Sequence, residues 1–190
     1  MKKVYTSACV IIPPKEIWDQ IQKIRHRYDR QIHRWMPHIT LLYPFRPKAE
    51  FNDLEKEFKE LCSQLKPFEI SFRNIRYFHH KHQDFTIWLN PEPEDFIIQL
   101  QARLLKIVPD CDDVNKHKNG FTPHLSIGQI KGKENLIKVM SKLQDFWKKL
   151  EFTLNSVYFI SRENNKQSKF EIIKKIPLNL IISKKNENLY

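Results

Sequence analysis

Two tetrapeptides repeat one pattern: Pro37-His38-Ile39-Thr40 and Pro123-His124-Leu125-Ser126. Each reads proline, histidine, apolar residue, hydroxyl residue, and the two histidines lie 86 positions apart. On a β-strand successive side chains face opposite ways, so each histidine shares a face with the hydroxyl two places on. Two such strands brought together would present two imidazoles and two hydroxyls to one point. Histidine is the side chain that exchanges a proton near neutral pH. One ring can take a proton from an attacking water and the other can give one to a leaving oxygen. Thr40 and Ser126 can donate hydrogen bonds to non-bridging phosphate oxygens, where charge builds in the transition state. The prolines give each strand a rigid entry. The scheme calls for no metal and no cofactor.

Elements must exist to carry these residues, and the rest of the sequence supplies them. Tyr5 to Ile12 reads as a strand that stops at Pro13-Pro14. Lys15 to Tyr28 carries apolar residues at helical spacing (Ile17, Trp18, Ile21, Ile24). His38 to Tyr43 is a short strand. A helix capped by Asn52 is expected through Leu65. Phe68 to Phe78 and Phe85 to Leu89 form a hairpin across the polar stretch His79 to Asp84. A third helix spans Phe96 to Val108, opened by Pro93-Glu94-Asp95. The second histidine strand covers Pro123 to Ile130, and a fourth helix Glu134 to Leu150. Phe152 to Ile160 and Phe170 to Ile182 close the pattern as strands. The helical stripes marked by Trp18, Phe58 and Phe146 read as core faces. The order gives an α+β fold with mixed or antiparallel sheets and flanking helices, not a doubly wound parallel sheet. The repeated string points to two lobes facing one groove within a single unit over 1–183, followed by a polar tail, 184–190.

Composition narrows the function. The 190 residues carry 33 Lys and Arg against 22 Asp and Glu, a net charge of +11, which favours polyanionic partners, nucleic acid first. Only three glycines occur, so a glycine-rich phosphate loop or dinucleotide fingerprint is excluded over most of the chain. Cys9, Cys62 and Cys111 have neither metal-ligand nor redox spacing and read as reduced thiols of a cytoplasmic or nuclear protein. The apolar run Val4 to Ile12 reads as a first strand rather than a signal peptide, and no stretch has the length of a membrane helix. His79, His80 and His82 read as a surface loop rather than a zinc site. Asp110, Asp112 and Asp113 lack a calcium-loop pattern.

The paired His-x-hydroxyl strings, His38-Ile39-Thr40 and His124-Leu125-Ser126, resemble those of the 2H phosphoesterase superfamily. That group includes 2′-5′ RNA ligase-like proteins, phosphodiesterases acting on 2′,3′-cyclic ends and 2′,5′-oligoadenylate phosphodiesterases. The resemblance implies a bilobal α+β fold with the catalytic groove between lobes. It implies that His38 and His124 are the catalytic pair and that Thr40 and Ser126 bind phosphate. The expected activity is metal-independent phosphodiester hydrolysis of RNA or oligonucleotides by a monomer. The foremost step is opening of a 2′,3′-cyclic phosphate, with 2′,5′- or 3′,5′-linked ends as variants. A 2′-5′ ligase and a non-catalytic RNA-end-binding module are the alternatives.

Further substrate contacts are sought near the motifs. Tyr43, Phe45 and Phe121 are candidate base-stacking rings, although Tyr43 falls on the opposite strand parity to His38 and Thr40. Arg34, Arg46, Lys116 and Lys118 are candidate phosphate-steering cations, and Trp35 precedes the first motif.

Overall fold

The computed structural model describes residues 2–116 and 120–179. Eight strands form two four-stranded sheets in which every pairing is antiparallel. The strands are β1 (Ser7–Ile11), β2 (Ile39–Leu42), β3 (Phe68–His79), β4 (Asp84–Glu92), β5 (Leu125–Lys131), β6 (Leu150–Leu154), β7 (Ser156–Ser161) and β8 (Glu171–Pro177). The first sheet has the order β2-β1-β7-β8 and the second β5-β4-β3-β6. The helices are α1 (Trp18–Tyr28), α2 (Phe51–Ser63), α3 (Glu94–Leu105) and α4 (Lys133–Phe146). This is the bilobal α+β architecture expected from the sequence.

The two lobes are built alike. In the first, β1 leads through α1 to β2, which returns antiparallel beside it. In the second, β4 leads through α3 to β5 in the same way. Each returning strand is a sheet edge, each opens just after a motif histidine, and β2 and β5 lie in contact. The likeness extends to a bulge. Leu41 is the extra residue where β2 pairs with Cys9 and Val10, and Ile127 is the extra residue where β5 pairs with Ile87 and Trp88. Both bulges fall one residue after the motif hydroxyl. A bulge bends its strand and resets which side chains face which way.

One hydrophobic core lies between the sheets and helices. Cys9, Ile11, Ile39, Leu41, Phe45, Phe58, Ile87, Leu89, Leu125, Ile127 and Phe159 are all wholly buried in it. Alternation sends Ala8, Val10 and Ile12 to the other face of the first sheet, where they form a second, smaller cluster with Ile160 and Phe170. Helix α1 belongs to the first lobe by connection but packs on β5 of the second. Gly128 makes that approach possible, since a Cβ there would stand 2.5 Å from the Tyr28 Cβ.

Several boundaries differ from expectation. Helix α2 begins at Phe51 after a 3-10 turn, so Asn52 lies within its first turn and Glu50 occupies the cap without a side-chain bond. Helix α3 starts earlier, at Glu94, and ends at Leu105. Helix α4 stops at Phe146, Leu150 opens β6, and the Phe146 ring is 74% exposed rather than in the core. The single strand expected over 152–160 is two strands in different sheets, because the chain crosses between lobes at Asn155. Apolar content continues through that crossing, so periodicity alone does not mark it. The expected tail, 184–190, and residues 180–182 of the last expected strand lie outside the described residues.

Candidate active site

The motif residues converge where the two edge strands meet. Thr40 pairs with Val10, placing it on the face of the smaller cluster, away from the main core. His38 shares that face by alternation. Ser126 pairs with Trp88, and Trp88 with Arg76, so Ser126, Trp88 and Arg76 form a row across the second sheet. His124 stands beside that row, with its ring edge-on to Phe78 (5.0 Å between centroids) and Trp88 (5.9 Å). The charges of the two imidazoles are close enough to act on one another.

Both rings are held by the same device. His38 Nδ1 lies 2.7 Å from the Met36 carbonyl and His124 Nδ1 lies 2.8 Å from the Thr122 carbonyl, each two residues back. A carbonyl can only accept, so Nδ1 carries the hydrogen and Nε2 keeps the lone pair when the ring is neutral. Trp35 stacks on the His38 ring at 4.7 Å and 15°. Burial is the main cause that pushes the His38 pKa down, to about 4, with the charges of Arg25 and His124 adding to the shift and Asp29 and the Met36 carbonyl opposing it. His38 is therefore a neutral imidazole at pH 7, able to accept a proton.

Three of the proposed substrate contacts gather beside this pair in the first lobe. Trp35 lies between His38 and Phe170, stacking on the latter at 3.8 Å. Tyr43 meets Trp35 edge-on at 5.5 Å and donates its hydroxyl to the Tyr5 carbonyl. The parity expected for Tyr43 is corrected by the Leu41 bulge: Leu41 and Leu42 both face the core, so Tyr43 turns to the side of Thr40. Arg34 donates to the Lys166 carbonyl, and its charge, with that of Arg162, reaches Tyr43.

Four other candidates lie elsewhere. Phe45 is wholly buried in the main core against Phe51, Phe58 and Phe159. Phe121 also packs on that core. Arg46 is buried and paired with Asp110 through two hydrogen bonds. Lys116 pairs with Asp112 and Asp113, in a charged cluster that includes Lys3. Phe45, Arg46 and Lys116 stand near the motifs in sequence, but their contacts are with the core or in ion pairs. Lys118 lies outside the described residues. Conversely, sequence reasoning missed Phe78, Trp88 and Arg76, contributed by β3 and β4, and Phe170 and Arg162, contributed by the loop joining β7 to β8. For Phe78, Trp88 and Arg76 strand alternation gives the face, but only the pairing register puts them beside a motif.

A cavity of about 700 Å³ lies on the opposite side of the second sheet, between the β3–β4 hairpin and α4, lined in part by Tyr77, Phe85, Leu136 and Met140. It contains no motif residue. Among the described residues no group of three or more His, Cys, Asp or Glu is placed to hold a metal ion. His79 stacks on Phe85 while His80 meets the Thr86 hydroxyl, so the hairpin imidazoles turn to different neighbours. No helix among the described residues is long and apolar enough to cross a membrane.

Known proteins share the fold. Residues 13–166 match the profile of the 2′-5′ RNA ligase superfamily. A Geobacillus kaustophilus protein named "Putative phosphoesterase" is 32% identical over 121 residues, covering 63% of this chain and 66% of that one. An Oceanobacillus iheyensis protein of the same designation is 27% identical over 135 residues, covering 70% and 76%. Among solved structures, TT0787 of Thermus thermophilus superposes with a TM-score of 0.64 at 18% identity, covering 92% of this chain and 98% of that one. Escherichia coli LigT complexed with phosphate superposes with a TM-score of 0.59 at 14% identity, covering 93% and 99%. The chain belongs to the 2′-5′ RNA ligase superfamily, the 2H phosphoesterases.

Proposed function

We propose that the protein is a metal-independent phosphodiesterase that opens 2′,3′-cyclic phosphate ends of RNA or oligonucleotides. The observation that carries this reading is the pair of identically held imidazoles, each with its hydroxyl, on two edge strands in contact. In the proposed step, His38 Nε2 takes a proton from water as the water oxygen forms a bond to phosphorus. The bond from phosphorus to one ribose oxygen breaks, and protonated His124 delivers its proton to that oxygen. Thr40 and Ser126 donate to the non-bridging oxygens. His38 begins unprotonated at neutral pH, as a base must. The net charge of +11 favours a polyanionic substrate. LigT, which shares the fold, has been crystallised with phosphate and with 3′-AMP, ligands of the kind this site would hold. Cleavage of 2′,5′- or 3′,5′-linked ends uses the same groups, with the neighbouring ribose hydroxyl in place of water attacking phosphorus to form the 2′,3′-cyclic phosphate as the 5′ oxygen leaves with a proton; 2′,5′ ligation is the reverse of that 2′,5′ cleavage.

The test is incubation with a panel of 2′,3′-cyclic nucleotides, 2′,5′-oligoadenylate and RNA of defined ends, with product identification. A monoester product from the cyclic ends, at a rate EDTA does not change, is the expected result. Loss of turnover in EDTA with recovery on adding zinc would refute the scheme. Binding of RNA ends without any product would favour a binding module instead.

A further inference from the structure

In each lobe a buried residue at the eighth position of a helix bonds to the segment that follows that helix on the way to a motif histidine. In the second lobe that residue is Gln101 of α3, 2% exposed, whose Nε2 donates to Asn115 Oδ1 at 2.9 Å. In the first lobe it is Arg25 of α1, also 2% exposed. Its Nε donates to Asp29 Oδ2 at 2.8 Å, its Nη1 to Gln22 Oε1 at 3.0 Å and its Nη2 to the Trp35 carbonyl at 2.8 Å. The two lobes thus use the same helix position to bond the segment that follows the helix, but only the first places a charge there.

Arg25 reaches His38 by two routes. Its bond to the Trp35 carbonyl fixes the residue whose ring stacks on His38 and whose neighbour, Met36, accepts from His38 Nδ1. Its partner Asp29 organises the rest of the turn, accepting from the Gln31 amide (2.8 Å) and from Gln129 Nε2 of β5 (3.2 Å). Gln129 also accepts from the Arg30 amide at 3.0 Å. Gln129 lies three residues past Ser126 on the same strand, so the network clasps the His38 turn to the strand bearing the other half of the site.

We propose that Arg25 is a positioning residue for His38, which fixes the turn bearing that imidazole and, by its buried charge, reserves His38 for the proton-accepting role. The inference rests on the two-histidine reading above. A buried ion pair is weak evidence for stability, since an apolar pair of similar volume often does as well. A charge on one lobe and a neutral amide at the matching position of the other is accounted for by a difference in what the two histidines must do. A cation beside an imidazole disfavours its protonation. The charged groups acting on His38 are Arg25, Asp29 and His124, and of the first two Arg25 is the stronger influence.

Two variants separate charge from geometry. Arg25→Lys keeps the charge but loses the planar fork that grips Asp29 and the Trp35 carbonyl together. It should lower kcat about tenfold or more through misplacement of the reacting ring, leave KM nearly unchanged, and leave the NMR titration of His38 in the acid range. Arg25→Met combined with Asp29→Asn removes both charges while keeping the Asn oxygen for Gln31 and Gln129. It should move the His38 titration upward by part of the gap to the ordinary imidazole value, burial still holding it below that value, and carry the acid limb of kcat/KM with it. The titration is read from the imidazole without substrate, so it judges Arg25 even if none of the phosphodiesters is hydrolysed, a result that would sink the functional reading alone. Folded variants with unchanged His38 titration in the double substitution and unchanged kcat in Arg25→Lys would overturn the inference.

Discussion

Mild acid should weaken the fold through His38 before its ion-paired carboxylates come into play. An imidazole in the unfolded chain titrates near 6.5, whereas burial lowers that of His38 to about 4. Between these values the unfolded state binds more protons than the native state, so stability rises with pH across the window. The contribution of His38 is complete above about pH 6.5 and is lost progressively as the pH falls toward 4. At 1.36 kcal/mol per unit the whole effect has a ceiling of about 3 kcal/mol, trimmed because the ring is only partly shielded and its surroundings are screened by water. Asp110 and Asp113, held low by Arg46 and Lys3, and Glu55, held low by Lys174 and Lys59, give up their contributions only below the ordinary carboxylate range. Urea unfolding at half-unit steps from pH 7.5 to 4, for the wild type and His38→Gln, isolates the effect in the difference curve. That curve should be flat above pH 6.5 and fall by about 1–3 kcal/mol by pH 4. A difference that stays flat throughout, or a His38 resonance titrating near 6.5, would refute the reasoning.

Other substitutions test the account beyond the two imidazoles. Gly128→Ala forces a Cβ into Tyr28 and should cost about 1–3 kcal/mol, with a loss of kcat as β5 shifts against α1, read by urea unfolding and turnover together. Phe45→Ala should cost about 3–5 kcal/mol by denaturation, because its ring fills the core among Phe51, Phe58 and Phe159. Lys116→Ala should change kcat/KM by less than about twofold and leave the urea midpoint where it is, since its exposed pairs with Asp112 and Asp113 are screened. Thr40→Ala and Ser126→Ala should each lower kcat by up to about 10²–10³, the usual effect of losing one donor to developing charge.

The repeated string made the heart of the site legible, because alternation on a strand is enough to pair His38 with Thr40 and His124 with Ser126. The α+β architecture was legible for a similar reason, since proline and polar stretches divide periodic segments cleanly. Nearness in sequence was a poorer guide. Phe45, Arg46 and Lys116 stand close to the motifs along the chain, yet one lies in the core and the others in ion pairs elsewhere. Trp88 and Phe78 reach His124 only through strand pairing across 36 and more residues, which depends on the register of β3, β4 and β5. Bulges resist reading from one strand alone: the Leu41 bulge exists because β1 opposes two residues with one, and it turned Tyr43 to the groove side. The crossing at Asn155 hides for the same reason, as apolar residues on both sides serve different sheets.

The central claim is that two imidazoles, with no help from a metal, open a cyclic phosphate. Single-turnover hydrolysis of a 2′,3′-cyclic nucleotide in EDTA, compared among the wild type, His38→Ala, His124→Ala and the double substitution, tests it most directly. Each single loss should slow the chemical step by about 10²–10⁴, and the double variant should be little slower than the worse single one, as expected of groups acting together. Undiminished turnover in either single variant would contradict the account.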